Sequence, residues 1–242
     1  MEVHTTMTKN IAILRGGDSS EITISIKSAD VVAQHIDRDT YVPYIVHMEG
    51  KDWQVIDGNQ AYPIDKNDFS FTAENKKISF DGVFMAIHGT PGEDGILQAY
   101  FDLLKIPYNC CGPFEASLTF NKGMCNALLK SFNIPSAKAI MIHKGAAYDT
   151  QAIENNIGLP CFVKPNRAGS SFGISKVTAS KQWEHAIKEA FKHDNQVLIE
   201  AFIDGIEVTC GLIEKESELI ALPLTEITTE NDFFDYEAKY EG

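Results

Sequence analysis

The chain has 242 residues, of which 44% are hydrophobic and 23% are charged, an ordinary composition for a folded globular protein. Its 34 acidic and 21 basic residues give a net charge of -13, which argues against broad binding to nucleic acid or to anionic membranes. ATP is not excluded, because a local lysine cluster outweighs distant carboxylates that are screened over about 10 Å.

The first third of the chain alternates predicted strands and helices. Strands are expected at 10–14, 41–47, 52–56 and 82–87, and helices at 20–37 and 96–104. The apolar spacing at 20–37 is helical, and the continuous apolar run at 82–87 is typical of a buried parallel strand. The alternation predicts a doubly wound, Rossmann-like α/β domain over residues 9–112, with ligands at the carboxyl ends of its strands.

A second unit is expected to begin near Pro113. Helices are predicted at 116–132, 148–156 and 180–191, and strands at 159–164, 174–177, 137–143, 196–202, 206–213 and 219–225. Ser180 is the expected N-cap of its helix, and Asp204-Gly205 predicts a hairpin between the strands that flank it. The residues after 226 contain no closing element, so we expect the chain to be truncated within a domain.

The five cysteines are odd in number and lack the spacing of a disulfide framework or a Cys-x-x-Cys pair. We therefore expect free thiols and a reducing cytoplasm. Neither a basic leader with an apolar segment nor an apolar run of membrane-spanning length is present, so no membrane partner is expected. Met7 is the expected natural start, with residues 1–6 upstream of it, and residues 1–8 together are expected to be an extension that precedes the first domain.

The stretch from Leu159 to Gly173 places Lys164 at the end of an apolar strand, before a loop of small residues and hydroxyls. Such loops suit polyphosphate, because backbone N–H groups approach closely where there is no Cβ and a nearby ammonium supplies charge. A Walker loop has its lysine after the last glycine and begins a helix, whereas here the lysine comes first and a strand follows. The pattern indicates a strand–loop–strand flap over phosphates, with an ordinary hairpin turn as the alternative.

Two candidate ligand-binding residues follow strands of the first domain. Glu21 comes after a glycine pair, where a carboxylate could hold a ligand ammonium; alternatively, Asp18 and Glu21 form a capping box. His88 ends a buried strand before a three-glycine loop, which favours a hydrogen-bonding or proton-handling role. Glu93 and Asp94 in that loop are explained by the dipole of the helix that follows.

Four charged residues are candidate nucleotide ligands. Lys164 lies between a predicted buried strand and a proline, a sequence context that is unusual for a solvent-exposed lysine. Lys122, on its predicted helix, cannot be distinguished from a surface charge. Glu200 and Glu207 flank the predicted hairpin and suit ribose hydroxyls, with exposed strand residues as the alternative.

Six short motifs occur in order along the sequence, and together they indicate a protein family far more specifically than any one of them does. They are Gly-Gly-x-Ser-x-Glu at 16–21 with Ser25 and Ser28, His-Gly-x-x-Gly-Glu-Asp-Gly at 88–95, Asn-Lys at 121–122, Lys-Pro-x-x-x-Gly-Ser-Ser-x-Gly at 164–173, Leu-Ile-Glu at 198–200 and Asp-Tyr-Glu-Ala-Lys-Tyr at 235–240. From about residue 9 to its end, the sequence resembles the D-alanine–D-alanine ligases of the ATP-grasp superfamily. The resemblance implies a substrate domain at 9–112, an α+β central ATP-grasp domain at 113–201 and an incomplete C-terminal ATP-grasp domain at 202–242.

The resemblance also implies roles for single residues. ATP would be bound by Lys122, Lys164, Gly169, Ser170, Ser171, Glu200, Phe202, Ile203, Glu207 and Lys239. The lysines would contact the phosphates, the backbone of Glu200 and Ile203 the adenine, and Glu207 the ribose. Glu21 would position the amino group of the first D-alanine, and His88 would lie near its carboxylate. Glu21, Ser170 and Tyr240 would form a catalytic hydrogen-bonded trio, and tyrosine at 240 would accompany D-alanine as the second substrate, where depsipeptide-forming relatives have histidine.

Two departures from the family accompany these matches. Ala201 stands where relatives often have a lysine beside the adenine. The family's metal-binding carboxylates and asparagine, its oxyanion-stabilising arginine and its second-subsite serine would follow Gly242. We therefore expect no metal ligand in this chain and no activity from the chain alone.

The activity implied is the ATP-dependent joining of two D-alanines through an acyl phosphate, for peptidoglycan precursor and cell-wall synthesis. ATP and Mg²⁺ are the implied cofactors, with Mn²⁺ as an alternative metal, and a cytoplasmic homodimer is the family's expectation. D-alanine is the expected partner, and no nucleic acid is. Another ATP-grasp carboxylate–amine ligase, a D-alanine–D-lactate ligase and, as a non-enzyme, a nucleotide-binding fragment stay open as alternatives.

Overall fold

The computed structural model describes residues 8–228, which form two compact units. The first contains residues 8–132 together with Arg167–Gly169, and the second contains residues 133–166 and 170–228. Lys239 and Tyr240, two of the expected site residues, lie outside the described residues. The domain boundaries expected after residues 8, 112 and 201 stay predictions.

The first unit is built on a sheet of seven strands. They are β1 (Lys9–Gly16), β2 (Tyr41–Glu49), β3 (Asp52–Asp57), β4 (Gln60–Asp65), β5 (Ser70–Ala73), β6 (Lys76–Ser79) and β7 (Gly82–Met85), in the spatial order β6-β5-β4-β3-β2-β1-β7. β1 pairs in parallel with β2 and β7, and β2 to β6 form an antiparallel meander. The sequence pattern does not predict β4 to β6, because β5 and β6 have only four residues each and the proline of β4 and the lysines of β6 are unfavourable in strands.

Helices pack on both faces of this sheet. α1 (Ile22–His35) packs on one face and α2 (Ile96–Leu104) on the other, while α3 (Pro113–Phe120) contacts α2 and α4 (Lys122–Ser131). Ala12 and Leu14 of β1 share a core with Phe101 of α2, whereas Ile13, between them, packs with Ala29 of α1. The alternating residues of β1 are therefore buried on opposite faces, as expected for a strand covered by helices on both sides. The predicted α/β class of the first unit is confirmed.

The prediction of a single helix over 116–132 is wrong, because the helix is interrupted at Asn121. This residue has a φ of -88° and a ψ of 92°, and its side-chain Oδ1 accepts the N–H of Met124 at 3.1 Å. Asparagine in this position satisfies an N–H group that the first turn of a helix leaves without an intrahelical partner. Lys122 is therefore the first residue of α4 and does not lie in the middle of a helix.

The second unit contains a four-stranded antiparallel sheet in the order β10-β9-β11-β8. Its elements are β8 (Ala139–His143), α5 (Thr150–Ile157), β9 (Cys161–Pro165), β10 (Ser175–Val177), a 3₁₀ turn (Ser180–Gln182), α6 (Trp183–Ala190) and β11 (Gln196–Ala201). β9 and β10 are antiparallel neighbours, so the expected strand–loop–strand arrangement is confirmed. One face of the sheet packs against Ile153 of α5 and Trp183 and Ile187 of α6.

Two expectations for this unit are wrong. Ser180 does not cap α6; its N-cap is Gln182, and the Ser180 hydroxyl donates to Glu154 Oε1 at 3.0 Å. The Asp204-Gly205 hairpin does not form, because β11 already pairs with β8 on one edge and β9 on the other. The strands after it are β12 (Glu207–Thr209), β13 (Leu212–Lys215), β14 (Glu218–Ala221) and β15 (Thr225–Ile227), with β12 paired to β15 and β13 to β14.

The helices of the described residues are short, and α1, with 14 residues, is the longest of them. Within residues 8–228, no helix combines the length and the apolar character needed to cross a bilayer.

Aromatic rings join the meander of the first unit to α2. Phe69 is fully buried, and its ring centroid lies 4.8 Å from that of Phe101, 5.3 Å from that of Phe80 and 6.0 Å from that of Tyr100. Edge-to-face aromatic pairs stabilise a core beyond the area that they bury. Because α2 directly follows the loop of residues 88–95, this cluster also anchors the C-terminal end of that loop.

We predict that Phe101→Ala lowers the free energy of unfolding by about 3–5 kcal/mol, because it removes a fully buried ring and leaves a cavity. Leu103→Ala is the matched control on the same helix, since Leu103 is 82% exposed and its loss should change stability by less than about 0.5 kcal/mol. Urea unfolding followed by circular dichroism measures both variants. Equal losses in the two would contradict the assignment of Phe101 to the core.

Candidate functional site

Glu21 is buried at the start of α1 and is only 3% exposed. Its carboxylate Oε2 accepts the N–H of Gly169 at 3.2 Å, and its backbone N–H donates to Ser19 Oγ at 3.1 Å. The capping-box alternative is wrong, because Glu21 is itself the N-cap residue and Asp18 instead accepts the N–H of Gly50 at 2.6 Å. A carboxylate is rarely buried to this extent unless it has partners, so this position has a specific role.

Gly169 approaches Glu21 so closely that no side chain would fit. A Cβ on Gly169 would lie 2.7 Å from Glu21 Oε1, well inside van der Waals contact. The two residues that follow, Ser170 and Ser171, have φ values of 49° and 60°, in the left-handed region that residues other than glycine seldom adopt. The loop therefore needs small residues for a close approach and for an uncommon backbone.

His88 is held by three hydroxyls from the start of α1 and the turn before it. Its backbone N–H donates to Ser25 Oγ at 2.7 Å, its carbonyl accepts from Ser19 Oγ at 2.9 Å, and its ring Nε2 lies 3.1 Å from Ser28 Oγ. Ser25 is fully buried. The serines of the first motif thus position both Glu21 and His88, a role that sequence reasoning did not assign to them.

Glu93 adds a second carboxylate near Glu21. Its Oε2 accepts the N–H of Gly89 at 2.8 Å. Desolvation raises the pKa of Glu93, the Gly89 hydrogen bond opposes that shift, and the negative charge of Glu21 adds to it. Asp94, the other acid that precedes α2, accepts the N–H of Ile96 through its Oδ1 at 3.3 Å. The sequence alone assigned Glu93 to the helix dipole, and a dipole-complementing acid and a ligand-binding acid share the same sequence pattern.

Lys122 binds the other side of the segment that contacts Glu21. Its ammonium donates to the carbonyl oxygen of Ala168, next to Gly169. Glu21 accepts an N–H from the segment while Lys122 donates to one of its carbonyls, so the two side chains hold Arg167–Gly169 within the first unit. Lys122 also lies in the first turn of α4, where the helix dipole adds positive potential.

The sheet of the second unit has a core face and an open face. Cys161 and Val163 of β9 are fully buried in the core. Because side chains alternate along a strand, Phe162 and Lys164 lie on the opposite face. Sequence reasoning identified Lys164 but missed Phe162, although the alternating burial expected of this strand was a usable signal.

The open face brings together charged and aromatic side chains from neighbouring strands. Lys164 and Glu200 form an ion pair with side chains only 19% and 14% exposed. Lys176 Nζ lies 4.7 Å from the ring centroid of Phe202, and the rings of Phe162 and Phe202 are 6.1 Å apart. Phe162 is opposite both Glu200 and Lys176 in the strand register. Lys176 could not be found from the sequence, because its position depends on the pairing of β10 with β9.

The remaining expected site residues are placed as follows. Ile203 is 67% exposed in the turn after β11, and Glu207 is exposed at the start of β12. All five cysteines are free thiols. Within residues 8–228, no group of three or more histidine, cysteine, aspartate or glutamate side chains forms a metal-binding cluster. The trio of Glu21, Ser170 and Tyr240 stays a prediction, since Tyr240 is outside the described residues.

Comparison with known proteins shows to which family the chain belongs. A model described as "D-ala D-ala ligase N-terminus" matches residues 10–111, and one described as "D-ala D-ala ligase C-terminus" matches residues 128–242. The D-alanine–D-alanine ligase of Flavobacterium johnsoniae is 51% identical over 235 residues, which are 97% of this chain and 73% of that protein. The chain belongs to the D-alanine–D-alanine ligase family.

Solved structures share the fold of this chain. The D-alanyl-alanine synthetase A of Vibrio cholerae superimposes with a TM-score of 0.81 at 28% identity, over 93% of this chain and 69% of that chain. A Bacillus anthracis D-alanine–D-alanine ligase, determined in complex with ATP, gives a TM-score of 0.70 at 23% identity, over 94% of this chain and 68% of that chain. The expected α/β fold with an ATP-grasp module is confirmed.

We predict that Gly169→Ala breaks the hydrogen bond between the Gly169 N–H and Glu21, because the new Cβ would clash with the carboxylate. Hydrogen bonds to charged groups contribute about 1.5–3 kcal/mol, so amide exchange in the peptide around residue 169 should accelerate by roughly tenfold or more. Gly205→Ala is the matched control, since a Cβ at Gly205 meets no atom within 4 Å. Unchanged exchange in Gly169→Ala would show that the contact does not hold the segment.

Proposed function

We propose that the protein joins two D-alanines into D-alanyl-D-alanine with ATP, through an acyl phosphate, as a cytoplasmic step in peptidoglycan precursor synthesis. The observation that supports this most directly is the buried Glu21 carboxylate beside His88 and Glu93, in a chain 51% identical to a D-alanine–D-alanine ligase. The chain spans 73% of the length of that relative.

The first unit suits the zwitterion of an amino acid. Glu21 and Glu93 supply negative charge for the substrate ammonium, and the hydroxyl-held His88 supplies a ring nitrogen for its carboxylate. Because Glu21 is desolvated, its attraction for an ammonium is stronger than that of a surface carboxylate. The substrate would therefore be oriented with its carboxylate accessible for phosphorylation, and orientation of this kind is a large part of catalysis.

The open face of the second-unit sheet suits ATP. Phe162 and Phe202 offer an aromatic surface for the adenine, and Lys164 and Lys176 offer ammonium groups for the phosphates. Glu200 holds the Lys164 ammonium in place until phosphate oxygens replace it. Lys176 supplies a further positive charge on this face, whereas Ala201, which stands where relatives often have a lysine, packs against the core on the other face.

The other implied ATP contacts remain part of this proposal. They are Lys122, Gly169, Ser170, Ser171, Ile203, Glu207 and Lys239, of which Lys239 lies outside the described residues. The left-handed backbone of Ser170 and Ser171 supports a loop that offers its N–H groups to phosphate oxygens. The homodimer also stays an expectation from the family.

Mg²⁺, or Mn²⁺ in its place, stays an expectation. The residues described from 8 to 228 contain no cluster that fits it, and none of the steps above depends on it. When bound, such an ion would offset the crowding of phosphate charge.

The activity is tested by phosphate release with ATP, Mg²⁺ and D-alanine. Because the chain covers 73% of the Flavobacterium johnsoniae ligase, the assay uses both the 242-residue chain and a chimera joined to the C-terminal part that the chain does not cover. We expect the chimera to respond to D-alanine at least about tenfold more than to L-alanine, and the chain alone to bind ATP without turnover. A preference for D-lactate with D-alanine would favour the depsipeptide alternative, and no phosphate release from the folded chimera would contradict the proposal.

We predict that Lys164→Met weakens ATP binding by about tenfold or more, because it removes an ammonium and leaves the Glu200 carboxylate, which repels phosphate. Lys77→Met is the matched control, as Lys77 pairs with Asp68 at an exposed site, with side chains 58% and 44% exposed. Titration with a fluorescent ATP analogue measures both. Similar losses in the two variants would mean that overall charge, and not the open face, determines the affinity.

We predict that D-alanine affinity falls with decreasing pH from a point above the ordinary carboxyl pKa of 4.5, because the raised pKa of Glu93 causes it to gain its proton early. Protonation removes a negative charge that faces the substrate ammonium. Calorimetry at several pH values measures the effect. The Glu93→Gln variant should bind D-alanine weakly at neutral pH and lose this part of the pH dependence. If its D-alanine affinity varied with pH as in the unsubstituted protein, Glu93 would be excluded from the site.

A further inference from the structure

The hydroxyl of Ser28 is the hydrogen-bond partner of the His88 ring within residues 8–228. Ser25 and Ser28 are three positions apart on α1, so their side chains lie on the same side of the helix. Ser25 accepts the His88 N–H at 2.7 Å and Ser19 donates to the His88 carbonyl at 2.9 Å, which fixes the main chain of His88. Ser28 Oγ lies 3.1 Å from ring Nε2, so this hydroxyl acts on the state of the ring.

The direction of this hydrogen bond follows from the other contacts of Ser28. A serine in a helix commonly donates to the carbonyl four residues earlier, but in the described part of the chain the Ser28 side chain bonds to His88 and to no other group. If Nε2 carried a proton, Ser28 would accept it and its own hydroxyl proton would lack a protein acceptor. Donors are left unpaired in proteins less often than acceptors, so Ser28 donates and Nε2 accepts.

A neutral imidazole has one proton, so the ring that accepts at Nε2 carries its proton on Nδ1. Nδ1 of His88 has no hydrogen-bond partner among residues 8–228. It is nevertheless not one of the buried unpaired nitrogens of these residues, as Nδ1 of His47 is. The Nδ1–H of His88 is therefore open to a molecule that enters the site.

The surrounding charges give this proton a use. Desolvation raises the pKa of Glu93, and a positive charge on His88 opposes the shift, so the two side chains interact. The carboxylates of Glu21 and Glu93 only accept hydrogen bonds, and the Lys122 ammonium donates to the Ala168 carbonyl. A lone pair on Nδ1 would repel the carboxylate of an amino acid, whereas an Nδ1–H donates to it.

We propose that Ser28 is a positioning residue, which donates to Nε2 of His88 and so holds the neutral ring with its proton on Nδ1, available to the substrate carboxylate. An unconstrained imidazole prefers the opposite tautomer, with the proton on Nε2. Without Ser28, the ring would present its lone pair to the carboxylate. The use of the proton for a carboxylate rests on the proposed function, whereas the tautomer itself does not.

NMR of the ring nitrogens measures the tautomer without any ligand, on the 242-residue chain labelled in its histidines and kept at a mildly alkaline pH, where neutral rings predominate. The His88 signals are assigned by their loss in His88→Gln. We expect the Nδ1–H pattern at His88, whereas exposed His143 should show mainly the Nε2–H form. An Nε2–H pattern at His88 would overturn the proposal.

Ser28→Ala should convert His88 to the Nε2–H form, and Ser28→Thr, which keeps a hydroxyl, should preserve the Nδ1–H form. Thr23→Ala is the matched control, because it removes an exposed hydroxyl from the same helix. The proposal fails if Ser28→Ala keeps the Nδ1–H form, or if Thr23→Ala changes the tautomer as much. If Ser28→Ala does not fold, the tautomer of the unsubstituted protein decides alone.

Calorimetry with D-alanine and with D-alaninamide tests what the proton binds. Ser28→Ala should weaken D-alanine binding by about tenfold and D-alaninamide binding by about threefold or less, because a hydrogen bond to a charged acceptor is the stronger one. Ser28→Thr should restore the D-alanine affinity. Equal losses for the two ligands would overturn the assignment of the proton to the carboxylate. If the unsubstituted protein did not bind D-alanine while Ser28 still controlled the tautomer, the result would count against the proposed function and not against the hold of Ser28 on the ring.

Discussion

The buried carboxylate of Glu21 is the constraint on which the first unit depends. A desolvated negative charge is costly unless donors surround it, and here the Gly169 N–H is one such donor. That contact requires a residue without Cβ at 169, a lysine that holds the neighbouring carbonyl, and serines that fix the turn before α1. The same serines bind His88, so one network of hydroxyls orients both groups that we assign to the substrate.

The second unit reaches its site by a different route, the alternation of side chains in a pleated sheet. Residues at odd positions of β9 build the core, which leaves Phe162 and Lys164 on the other face with the side chains of the adjacent strands. A shift of one residue in the register of β9 would exchange its core residues with those of the open face. Burial of the core residues therefore fixes which side chains lie on the open face. Packing and function are therefore specified by the same pairing.

Local patterns predicted most of the elements and several of the site residues. The helix at α2, the strands β1 and β9, and the candidate residues His88 and Lys164 follow from periodicity and turn chemistry within a few neighbours. The substrate role of Glu21 follows from the family resemblance, because the local pattern suits a helix cap equally. The wrong predictions share one cause, which is long-range pairing. Both edges of β11 are already paired, so the strand after Asp204-Gly205 cannot pair with β11 as a hairpin. The residues around Lys176 and Glu93 come from distant parts of the chain, so the local sequence does not predict them. The N-cap at Asn121 was not predicted, because the helical spacing of apolar residues continues across it.

The membership of Arg167–Gly169 in the first unit has a consequence for synthesis on the ribosome. The chain completes α4 at Ser131, yet the N–H that Glu21 accepts is translated more than thirty residues later, at Gly169. Until that residue emerges, the nascent first unit contains a carboxylate that must keep water molecules as its hydrogen-bond donors. Its final compaction is therefore a late event during translation, in spite of its early place in the gene.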